Sequence, residues 1–280
     1  RFNGVLNIEG CKFYDNAPLS SSGTTTGYMI QNYKELSING SEFYDNVVIS
    51  IVYNQAGVMV INNTIFHDNN NSLLDRTPGL VYNDNGRATI SNSNFTNNKE
   101  KYGIISSRTA DYTVSNVRYG VSPADCLIEN CIFLNNYAGW YAGAVCCQAN
   151  SYTQPSQITI RNSTFINNTA KITTSSNLNN VGQGGAVYAT SLDTKSNLDI
   201  DSCIFIDNVA ENKDGSISYV NHIYSKANTD VNVSNSILLD TIGKSGDKFV
   251  EILTTSSLLS TITANKSKIG RAVQQECRDR

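Results

Sequence analysis

The side chains best suited to chemistry are three charged residues, Glu129, Arg161 and Asp201, which occupy the same position in successive copies of a repeated phrase. Cleavage of a polysaccharide uses paired carboxylates, or a cation beside acidic residues, on one face of the protein. No motif of a polysaccharide-cleaving enzyme accompanies the three residues, and a solvated charged face is the commoner reason for such a pattern. We therefore expect no catalytic residues and keep polysaccharide cleavage at these three positions as the alternative.

Four residues of an aromatic-rich region are candidates for binding a sugar: Trp140, Tyr141, Tyr112 and Arg108. Aromatic faces beside cations or hydrogen-bonding groups suit the apolar faces and the hydroxyls of a sugar ring. The other interpretation is that these rings anchor a long insertion, residues 108–125, onto the rest of the fold. The sequence leaves both interpretations open.

Three aspartates that share one position of the repeat, Asp15, Asp45 and Asp68, are the candidate residues for a calcium ion, because closely stacked carboxylates attract a cation. Asn97 and Asn135 fill the same position in later copies, which favours a structural need for an Asx side chain over a need for charge. The spacing of cysteine and histidine does not match a zinc site. We expect no metal and no cofactor.

All of these residues are positioned by a phrase that returns eight times along the 280-residue chain. Its clearest copies are Leu6–Asn16, Leu36–Asn46, Ile158–Asn168 and Leu198–Asn208. Each copy is anchored by one large apolar residue, and these anchors are Phe13, Phe43, Phe66, Phe95, Phe133, Phe165, Phe205 and Leu238. Aliphatic residues stand mostly five and seven positions before the anchor, with polar residues between them, which predicts a short strand with alternate side chains inside.

Two corners interrupt each copy. Gly or Asn stands three residues before most anchors, as at Gly10 and Asn63, and these residue types accept a left-handed backbone at least cost. An Asx-Asn pair follows most anchors, as at Asp45-Asn46, and it predicts a second turn. Stacked asparagines can also hydrogen-bond from one copy to the next.

Three short strands and their corners, repeated along the chain, predict an all-β fold, a right-handed parallel β-helix of about eight coils. The anchors are 23 residues (Phe43 to Phe66) to 40 residues (Phe165 to Phe205) apart, which fits coils of about 22 residues with added loops. We assign residues 1–257 to the solenoid and residues 258–280 to a terminal cap and polar tail, since an open end would expose unpaired strand edges.

The Phe-x-x-Asn copies, together with Gly184-Gly185-Ala186-Val187, resemble the two repeat motifs of the chlamydial polymorphic outer membrane protein family. Similar repeats mark adhesin-like proteins of methanogens and surface proteins of some protists. The resemblance covers nearly all of residues 1–245, although the Gly-Gly-Ala motif is intact only once. It implies a cell-surface β-helix that displays loops and adheres, and it implies no catalytic residue.

A stripe of aliphatic side chains is predicted on the outside of the last four coils. This aliphatic stripe consists of Ile132, Leu134, Ile166, Ile204, Ile206, Ile237 and Leu239. A bare apolar patch of this kind marks an interface with a partner or with a second copy. The alternative is that an insertion, residues 171–183, folds over it.

Eight Asn-x-Ser/Thr sequons occur, and some of them are by-products of the repeat. The asparagines predicted to point outward are Asn39, Asn62, Asn94 and Asn232. We expect these four to be glycosylation candidates if the chain is extracellular.

Seven cysteines do not by themselves indicate disulfides. Cys11, Cys131 and Cys203 occupy the position two residues before the anchor, where Ser and Thr replace them, and they are predicted to be small buried side chains. A bridge within one coil would join Cys126 to Cys146 or Cys147, and connectivity cannot be derived from the sequence.

The composition limits the remaining possibilities. The net charge is −3 with no basic cluster, which argues against nucleic-acid binding. No apolar run approaches bilayer length, and no signal peptide is apparent. Because the chain starts in phase with a coil at Arg1, we expect a mature or excised piece of a longer precursor. The sequence thus predicts a non-catalytic extracellular or cell-surface protein for adhesion or structural assembly, with a polysaccharide lyase or hydrolase and a subunit of an extracellular filament as alternatives.

Overall fold

The fold is an all-β solenoid with parallel strands. The computed structural model describes residues 4–17, 27–71, 78–114, 117–119, 123–151, 154–171, 183–191, 194–212, 220–226, 228–240, 250–255, 261–265 and 268–271. Within these ranges every regular element is a β-strand. Each turn of the chain, here called a coil, adds one strand to each of three parallel sheets, which confirms the predicted parallel β-helix.

The first two sheets follow the repeated phrase. Sheet I contains β1 (Val5–Glu9), β4 (Glu35–Asn39), β7 (Val58–Asn62), β10 (Arg87–Ser91), β16 (Ala124–Glu129), β20 (Ser156–Arg161), β24 (Ser196–Asp201), β28 (Thr229–Ser234) and β31 (Thr261–Asn265). Sheet II contains β2 (Lys12–Tyr14), β5 (Glu42–Tyr44), β8 (Ile65–His67), β11 (Asn94–Thr96), β17 (Ile132–Leu134), β21 (Thr164–Ile166), β25 (Ile204–Ile206), β29 (Ile237–Asp240) and β32 (Lys268–Arg271). With strands about 4.8 Å apart, nine strands make a rod about 40 Å long.

The remaining strands close each coil. Sheet III contains β3 (Tyr28–Asn32), β6 (Ser50–Gln55), β9 (Val81–Asp84), β13 (Ile105–Ala110), β19 (Val145–Asn150), β23 (Val187–Ser191), β27 (Val220–Lys226) and β30 (Val250–Thr255). A short sheet IV joins β12 (Lys99–Glu100), β18 (Tyr137–Ala138), β22 (Thr169–Lys171) and β26 (Val209–Glu211). An antiparallel pair, β14 (Tyr112–Val114) and β15 (Val117–Tyr119), lies within the predicted insertion.

Sheets I and II continue one coil beyond the eight copies found in the sequence. Strand β31 pairs with β28 so that Ile262 lies opposite Val231, and β32 pairs with β29 so that Ile269 lies opposite Leu238. The ninth coil escaped recognition because Ala264, Lys266 and Ile269 replace the usual aliphatic residue, corner residue and aromatic anchor. Both strands fall within residues 258–280, whose role as a cap stays a prediction.

The predicted corners are confirmed by the backbone. The residue three before the anchor has a left-handed φ of 49° to 60° in all eight copies, from Gly10 to Asn235. The residue two after the anchor has φ of 51° to 55° in seven copies, from Asp15 to Asp207. Asn and Gly tolerate this conformation best, which explains why so few residue types occupy these positions.

The interior is built from stacked copies of the same side chain. Consecutive anchor phenylalanines from Phe13 to Phe205 stack with ring centroids 4.7–4.9 Å apart and nearly parallel planes. The rings from Phe43 onward are fully buried, whereas Phe13 is half-buried in the first coil. The distance between stacked rings therefore equals the rise of about 4.8 Å from one coil to the next.

The small residue two before the anchor links neighbouring coils. The hydroxyl of Ser163 accepts the backbone N–H of Cys131 at 3.1 Å and donates to the carbonyl of Arg161 at 2.9 Å. The Cys131 thiol makes the same type of bond to Glu129, so Ser and Cys can alternate. Cys131 and Cys203 are buried as predicted. The prediction for Cys11 is wrong: it is exposed, because no described coil lies before the first one.

An asparagine ladder runs along the rod one residue after the second corner. Asn46 Nδ2 donates to Asn69 Oδ1 at 2.9 Å in the next coil and to the carbonyl of Phe13 at 3.0 Å in the previous coil. The amide-to-amide bond repeats without a break through Asn16, Asn46, Asn69, Asn98, Asn136, Asn168 and Asn208. At its end, Asn208 Nδ2 lies 3.2 Å from Nδ1 of the buried His222. The ladder confirms the bonding proposed for stacked asparagines.

A second, shorter ladder was not recognised in the sequence. Asn32 Nδ2 donates to Asn54 Oδ1 at 2.6 Å, Asn54 Nδ2 to Asn83 Oδ1 at 2.7 Å, and Asn83 Nδ2 to the hydroxyl of Ser107 at 3.1 Å. Asn54 and Asn83 also donate to the carbonyls of Gly57 and Gly86 at the following corner. A Cβ on Gly86 would lie 2.4 Å from Asn54 Nδ2, so this corner requires glycine.

Replacement of Asn98 by Ala should lower the free energy of unfolding by about 3–5 kcal/mol, because it leaves several buried polar groups without partners. Asn98 donates to the carbonyl of Phe66 and to Asn136 Oδ1, and it accepts from Asn69. Denaturant unfolding measures the loss. The matched control is Asn94→Ala on the exposed side of the same coil, which should change stability by less than about 0.5 kcal/mol. A loss below about 1 kcal/mol for Asn98→Ala would contradict a stabilising ladder.

Protonation of His222 should destabilise the fold. Burial lowers the pKa of His222 from 6.5 to about 4, so the unfolded chain binds the extra proton first as the pH falls. The contribution of neutral His222 to the free energy of unfolding is fully present above about pH 6.5. It should fall by about 3 kcal/mol between pH 6.5 and pH 4. His222→Gln, which keeps an acceptor for Asn208, should lack this component when its unfolding free energy is measured over the same range. Equal pH dependence in the two proteins would rule out the assignment.

Candidate functional site

The outer face of sheet III presents two columns of side chains along the rod. Strand pairing aligns the first column, which consists of Tyr53, Tyr82, Ser106, Cys146, Tyr188 and Tyr224. It aligns the second column, which consists of Gln55, Asp84, Arg108, Gln148, Thr190 and Lys226. One column is thus mostly aromatic and the other mostly polar.

The aromatic side chains of this face form two stacked groups. Tyr28, Tyr53 and Tyr82 stack with centroid distances of 4.4 Å and 5.2 Å. Tyr141 stacks on Tyr188 at 4.5 Å.

Two further rings come from the segments that lead into β13 and β19. Trp140 stacks with both Tyr102 and Tyr141, at 5.4 Å in each case. Tyr102 directly precedes Gly103, and Tyr141 directly precedes Ala142, both of which have positive φ. The left-handed turns therefore help to place the additional rings beside the sheet.

A groove of about 540 Å³ runs between these side chains. Its lining comprises Tyr28, Tyr53, Pro78, Tyr82, Tyr102, Ser106, Arg108, Trp140, Tyr141, Gln148, Asn150, Tyr188 and Thr190. These residues come from six consecutive strands of sheet III and the segments before them, so the groove extends about 24 Å along the rod axis. Aromatic walls with a few polar groups are typical of a ligand site.

Arg108, which lines the groove, is held in place by one buried carboxylate. Asp84, whose side chain is 2% exposed, accepts a hydrogen bond from the Tyr53 hydroxyl at 3.1 Å and pairs with Arg108 at 3.3 Å. The Arg108 guanidinium also lies 5.4 Å from the centre of the Tyr82 ring. On the other side, Lys101 Nζ lies 5.6 Å from the centre of the Trp140 ring. Such cation–π contacts fix both the cation and the ring.

Several polar groups in and beside the groove are neutral. Gln148 Nε2 donates to Cys146 Sγ at 3.5 Å. Burial raises the pKa of the Cys146 thiol, so the group stays protonated and is not a nucleophile at neutral pH. Burial likewise raises the pKa of Tyr141 to about 12, which keeps its hydroxyl neutral. The groove therefore offers neutral hydrogen-bonding groups together with the Arg108 guanidinium.

The structure brings together three of the four residues predicted to bind a sugar. Trp140, Tyr141 and Arg108 line the groove. Tyr112 lies in β14 opposite Tyr119, and its side chain lies outside the described part of the structure. Three of the four predicted residues thus line a groove, and anchoring of the insertion by these rings stays a prediction.

Sequence reasoning missed most of the other lining residues, including Tyr53, Tyr82, Ser106, Gln148 and Tyr188. The sequence does contain a signal for the mostly aromatic column of sheet III. In four coils, the residue of this column stands three positions after a glycine. These four segments are Gly79–Tyr82, Gly103–Ser106, Gly143–Cys146 and Gly185–Tyr188. Alignment on this glycine would have placed the four outer residues together.

The predicted charged trio does lie on adjacent strands. Glu129, Arg161 and Asp201 are in register on β16, β20 and β24 of sheet I. The Arg161 guanidinium binds the Glu129 carboxylate at 2.8–2.9 Å. Hydrogen bonds from Ser234 and Asn235 lower the pKa of Asp201, so it is charged at neutral pH. The arrangement pairs one acid with the cation and leaves the other as a hydrogen-bonded anion.

The three aspartates considered for calcium are exposed corner residues with left-handed φ. Asp68 accepts hydrogen bonds from Asn97 Nδ2 at 3.1 Å and lies 2.7 Å from His67 Nδ1. Over the part of the chain for which side chains are described, no group of three or more His, Cys, Asp or Glu residues is arranged to hold a metal ion. The structural role of Asp15, Asp45 and Asp68 is to form the second corner of their coils.

The aliphatic stripe lies on the outer face of sheet II. Ile132 is 43% exposed and Ile204 is 38% exposed, and the other five residues of the stripe are partly exposed. Residues 172–182 of the segment proposed to cover the stripe lie outside the described ranges.

The four asparagines of the glycosylation candidates differ in exposure. Asn94 and Asn232 are exposed, and Asn232 donates to Asp199 at 2.7 Å. Asn39 and Asn62 are partly buried on adjacent strands, and Asn62 Nδ2 donates to Asn39 Oδ1 at 3.0 Å. The two exposed asparagines, Asn94 and Asn232, are the more accessible for attachment of a glycan.

The six cysteines of the described ranges are free thiols, so the bridge from Cys126 to Cys146 or Cys147 is not formed. Cys146 lies on the outer face of sheet III with Tyr188, whereas Cys126 and Cys147 lie in the main core. Cys277 lies outside the described residues.

Comparison with known proteins supports the architecture. Residues 2–119 match the family model described as a right-handed β-helix region, and together with the parallel sheets this supports a right-handed coil. No curated protein and no solved structure matches the chain. Among the residues whose placement is described, there is no helix with the length and apolarity needed to cross a bilayer.

Proposed function

We propose that this chain is a non-catalytic extracellular or cell-surface β-helix that adheres by binding saccharide chains in the groove of sheet III. The observation that carries the proposal is the groove itself, in which Tyr102, Trp140 and Tyr141 cluster beside neutral hydrogen-bonding groups. A sugar presents apolar C–H faces to aromatic rings and hydroxyls to side-chain donors and acceptors. The elongated shape of the groove suits several consecutive units of a chain.

The charged trio on sheet I supports a non-catalytic role. A general acid needs a raised pKa, and a nucleophilic carboxylate needs access to the substrate. Glu129 is instead engaged by Arg161, and the pKa of Asp201 is lowered. A solvated ion pair and a hydrogen-bonded anion on an outer face explain all three residues without a reaction.

Trp140→Ala should weaken saccharide binding at least tenfold, because it removes the ring shared by Tyr102 and Tyr141. Suitable probes are the linear hexasaccharides of β-1,4-linked glucose, xylose, mannose and N-acetylglucosamine, measured by isothermal titration calorimetry. The matched control is Tyr44→Ala, which removes an aromatic side chain from the outer stack of sheet II, where Tyr44 lies 5.1 Å from Tyr14. Binding that is unchanged in Trp140→Ala, or absent from the wild-type protein for every probe, would refute the proposal.

A second function, self-association through the aliphatic stripe, is favoured by the exposure of Ile132 and Ile204. We expect a second copy of this chain to be the partner. The side chains of the stripe repeat at the strand spacing in each copy, so two stripes can pack against each other along their length. The stripe spans four strands and is about 14 Å long and about 10 Å wide. Its area of about 140 Å² is well below the roughly 800 Å² per partner of a stable interface, so the association should be weak.

Ile204→Asp should abolish this association. Light scattering over a concentration series should show a molar mass that rises at high concentration for the wild type and stays monomeric for the variant. The control is Val58→Asp, which places the same charge at a 48% exposed position of sheet I. A wild-type protein that is monomeric throughout, or association that persists in Ile204→Asp, would exclude the stripe as an interface between copies.

A further inference from the structure

Of the described residues that line the groove of sheet III, Arg108 alone carries a full charge at neutral pH. The rest of the lining consists of tyrosines, one tryptophan, one proline and uncharged polar side chains. Tyrosine hydroxyls are neutral near pH 7, and burial raises the pKa of Tyr102 and of Tyr141 further. The charge that a ligand meets in the groove therefore depends on how far the surroundings neutralise Arg108.

Asp84 supplies the opposite charge from the preceding coil, where strand pairing places it directly beside Arg108. The Arg108 guanidinium contacts both carboxylate oxygens, with Nη2 3.3 Å from Oδ2 and 3.4 Å from Oδ1. The side chain of Asp84 is 2% exposed, whereas that of Arg108 is 34% exposed. A ligand in the groove can therefore contact the cation, while the counter-charge is buried next to it.

Aromatic side chains hold this ion pair in one arrangement. The Tyr53 hydroxyl donates to Asp84 Oδ2 at 3.1 Å, and the Tyr82 ring centre lies 5.4 Å from Arg108 Cζ. Burial raises the pKa of Tyr28, and the charges of Asp84 and Arg108 then act on this pKa in opposite directions. Because the carboxylate is buried, the two charges interact more strongly than they would in water and largely cancel within the groove.

Two further charged residues lie near the groove without lining it, and they have opposite signs. Lys101 Nζ lies 5.6 Å from the centre of the Trp140 ring. Asp111 accepts a hydrogen bond at 2.6 Å from the hydroxyl of Ser151, the residue after Asn150, which lines the groove. These two charges, like those of the ion pair, sum to zero.

A neutralised groove suits an uncharged saccharide better than an acidic one. The carboxylate of an acidic sugar would lose its hydration on entry, and this loss is costly unless a cation replaces the water. Arg108 already has a carboxylate partner, so it compensates a second anion poorly. Sugar hydroxyls and N-acetyl groups can instead exchange hydrogen bonds with Gln148 and Asn150 at no cost in charge burial.

We propose that the groove selects uncharged saccharides, and that the buried carboxylate of Asp84 sets this selectivity by neutralising Arg108. The inference rests on the proposed saccharide-binding function and names the class of saccharide that the groove takes. Asp84 is a positioning residue, since it acts on the ligand only through Arg108. Removal of its charge should therefore change the class of ligand that binds, which a merely structural role would not do.

The wild-type test compares saccharides that differ in charge and share their linkage. Hexasaccharides of β-1,4-linked mannose, glucose and N-acetylglucosamine are each paired with the form whose C6 group is oxidised to a carboxylate. The xylose hexasaccharide is paired with a form that carries glucuronic acid branches. By calorimetry, the neutral member of a pair that binds should bind at least tenfold more tightly than the acidic member. Equal affinities within such a pair would overturn the inference.

Asp84→Asn should shift the selectivity, because it leaves the Arg108 charge without its buried partner. The acidic member should gain at least fivefold in affinity relative to the neutral member, and high salt should reduce this gain. In Asp84→Asn/Arg108→Gln, which removes both charges, the ratio should return to that of the wild type. Circular dichroism with thermal melting checks folding. If Asp84→Asn does not fold, Asp84→Gln replaces it, since Gln55 and Gln148 occupy the same column.

The matched control is Asp230→Asn, which removes a carboxylate of sheet I that pairs with Lys195 at 2.7 Å. It should leave the ratio of the two affinities within twofold of the wild type. A folded Asp84 variant that also stays within twofold would overturn the inference. In that case, loss of binding in Trp140→Ala would leave the proposed saccharide function in place. Failure of the wild type to bind any neutral probe would overturn both.

Discussion

The asparagine ladder is the interaction on which the rest of the structure depends. From Asn46 to Asn168, each amide donates to the asparagine of the next coil and to a phenylalanine carbonyl of the previous coil, and from Asn46 to Asn208 the ladder asparagines are fully buried or nearly so. A shift of a strand by one residue would turn its core side chains outward and leave these amides without partners. The phenylalanine stack imposes the same period from the adjacent position. In the coils that carry both residues, register is therefore specified twice, by polar and by apolar side chains.

Because the register between strands is fixed, equivalent residues of successive coils form columns along the rod. Once the coils are aligned, any residue on an outer face lies about one strand spacing from its equivalents. The side chains on the outer faces of the sheets can then differ without changing the alignment of the strands. Sheet II carries the Tyr14–Tyr44–His67 stack at one end and the aliphatic stripe at the other, while sheet III carries the groove. The loops that vary the length of the coils do not alter this alignment, since the bonds between coils set it.

The sequence predicted those features that a residue type dictates locally. The left-handed corners were recognisable because Gly and Asn are almost the only residues that accept them, as at Gly40 and Asn63. The ladder was recognisable because its asparagines stand at a constant distance from the anchor. The groove was recognised only in part, since Tyr82 and Tyr188 are separated from the anchors by segments of different length. Their alignment with Ser106 follows strand pairing, and its signal in the sequence is the glycine three residues before each of them, which an alignment on the anchors does not use. The exposure of Cys11 likewise depends on its place in the first coil and not on its residue type.

We propose that this protein binds a saccharide in the groove of sheet III, and its single tryptophan can report on that binding directly. Trp140 is the only tryptophan of the chain and lines the groove. The decisive measurement is acrylamide quenching of tryptophan fluorescence during titration with a hexasaccharide that the protein retains. Binding in the groove should produce a saturable change in emission and a reduced quenching constant, with the same midpoint as calorimetric binding. Calorimetric binding without any change in emission or quenching would show that the ligand binds elsewhere and not in the groove.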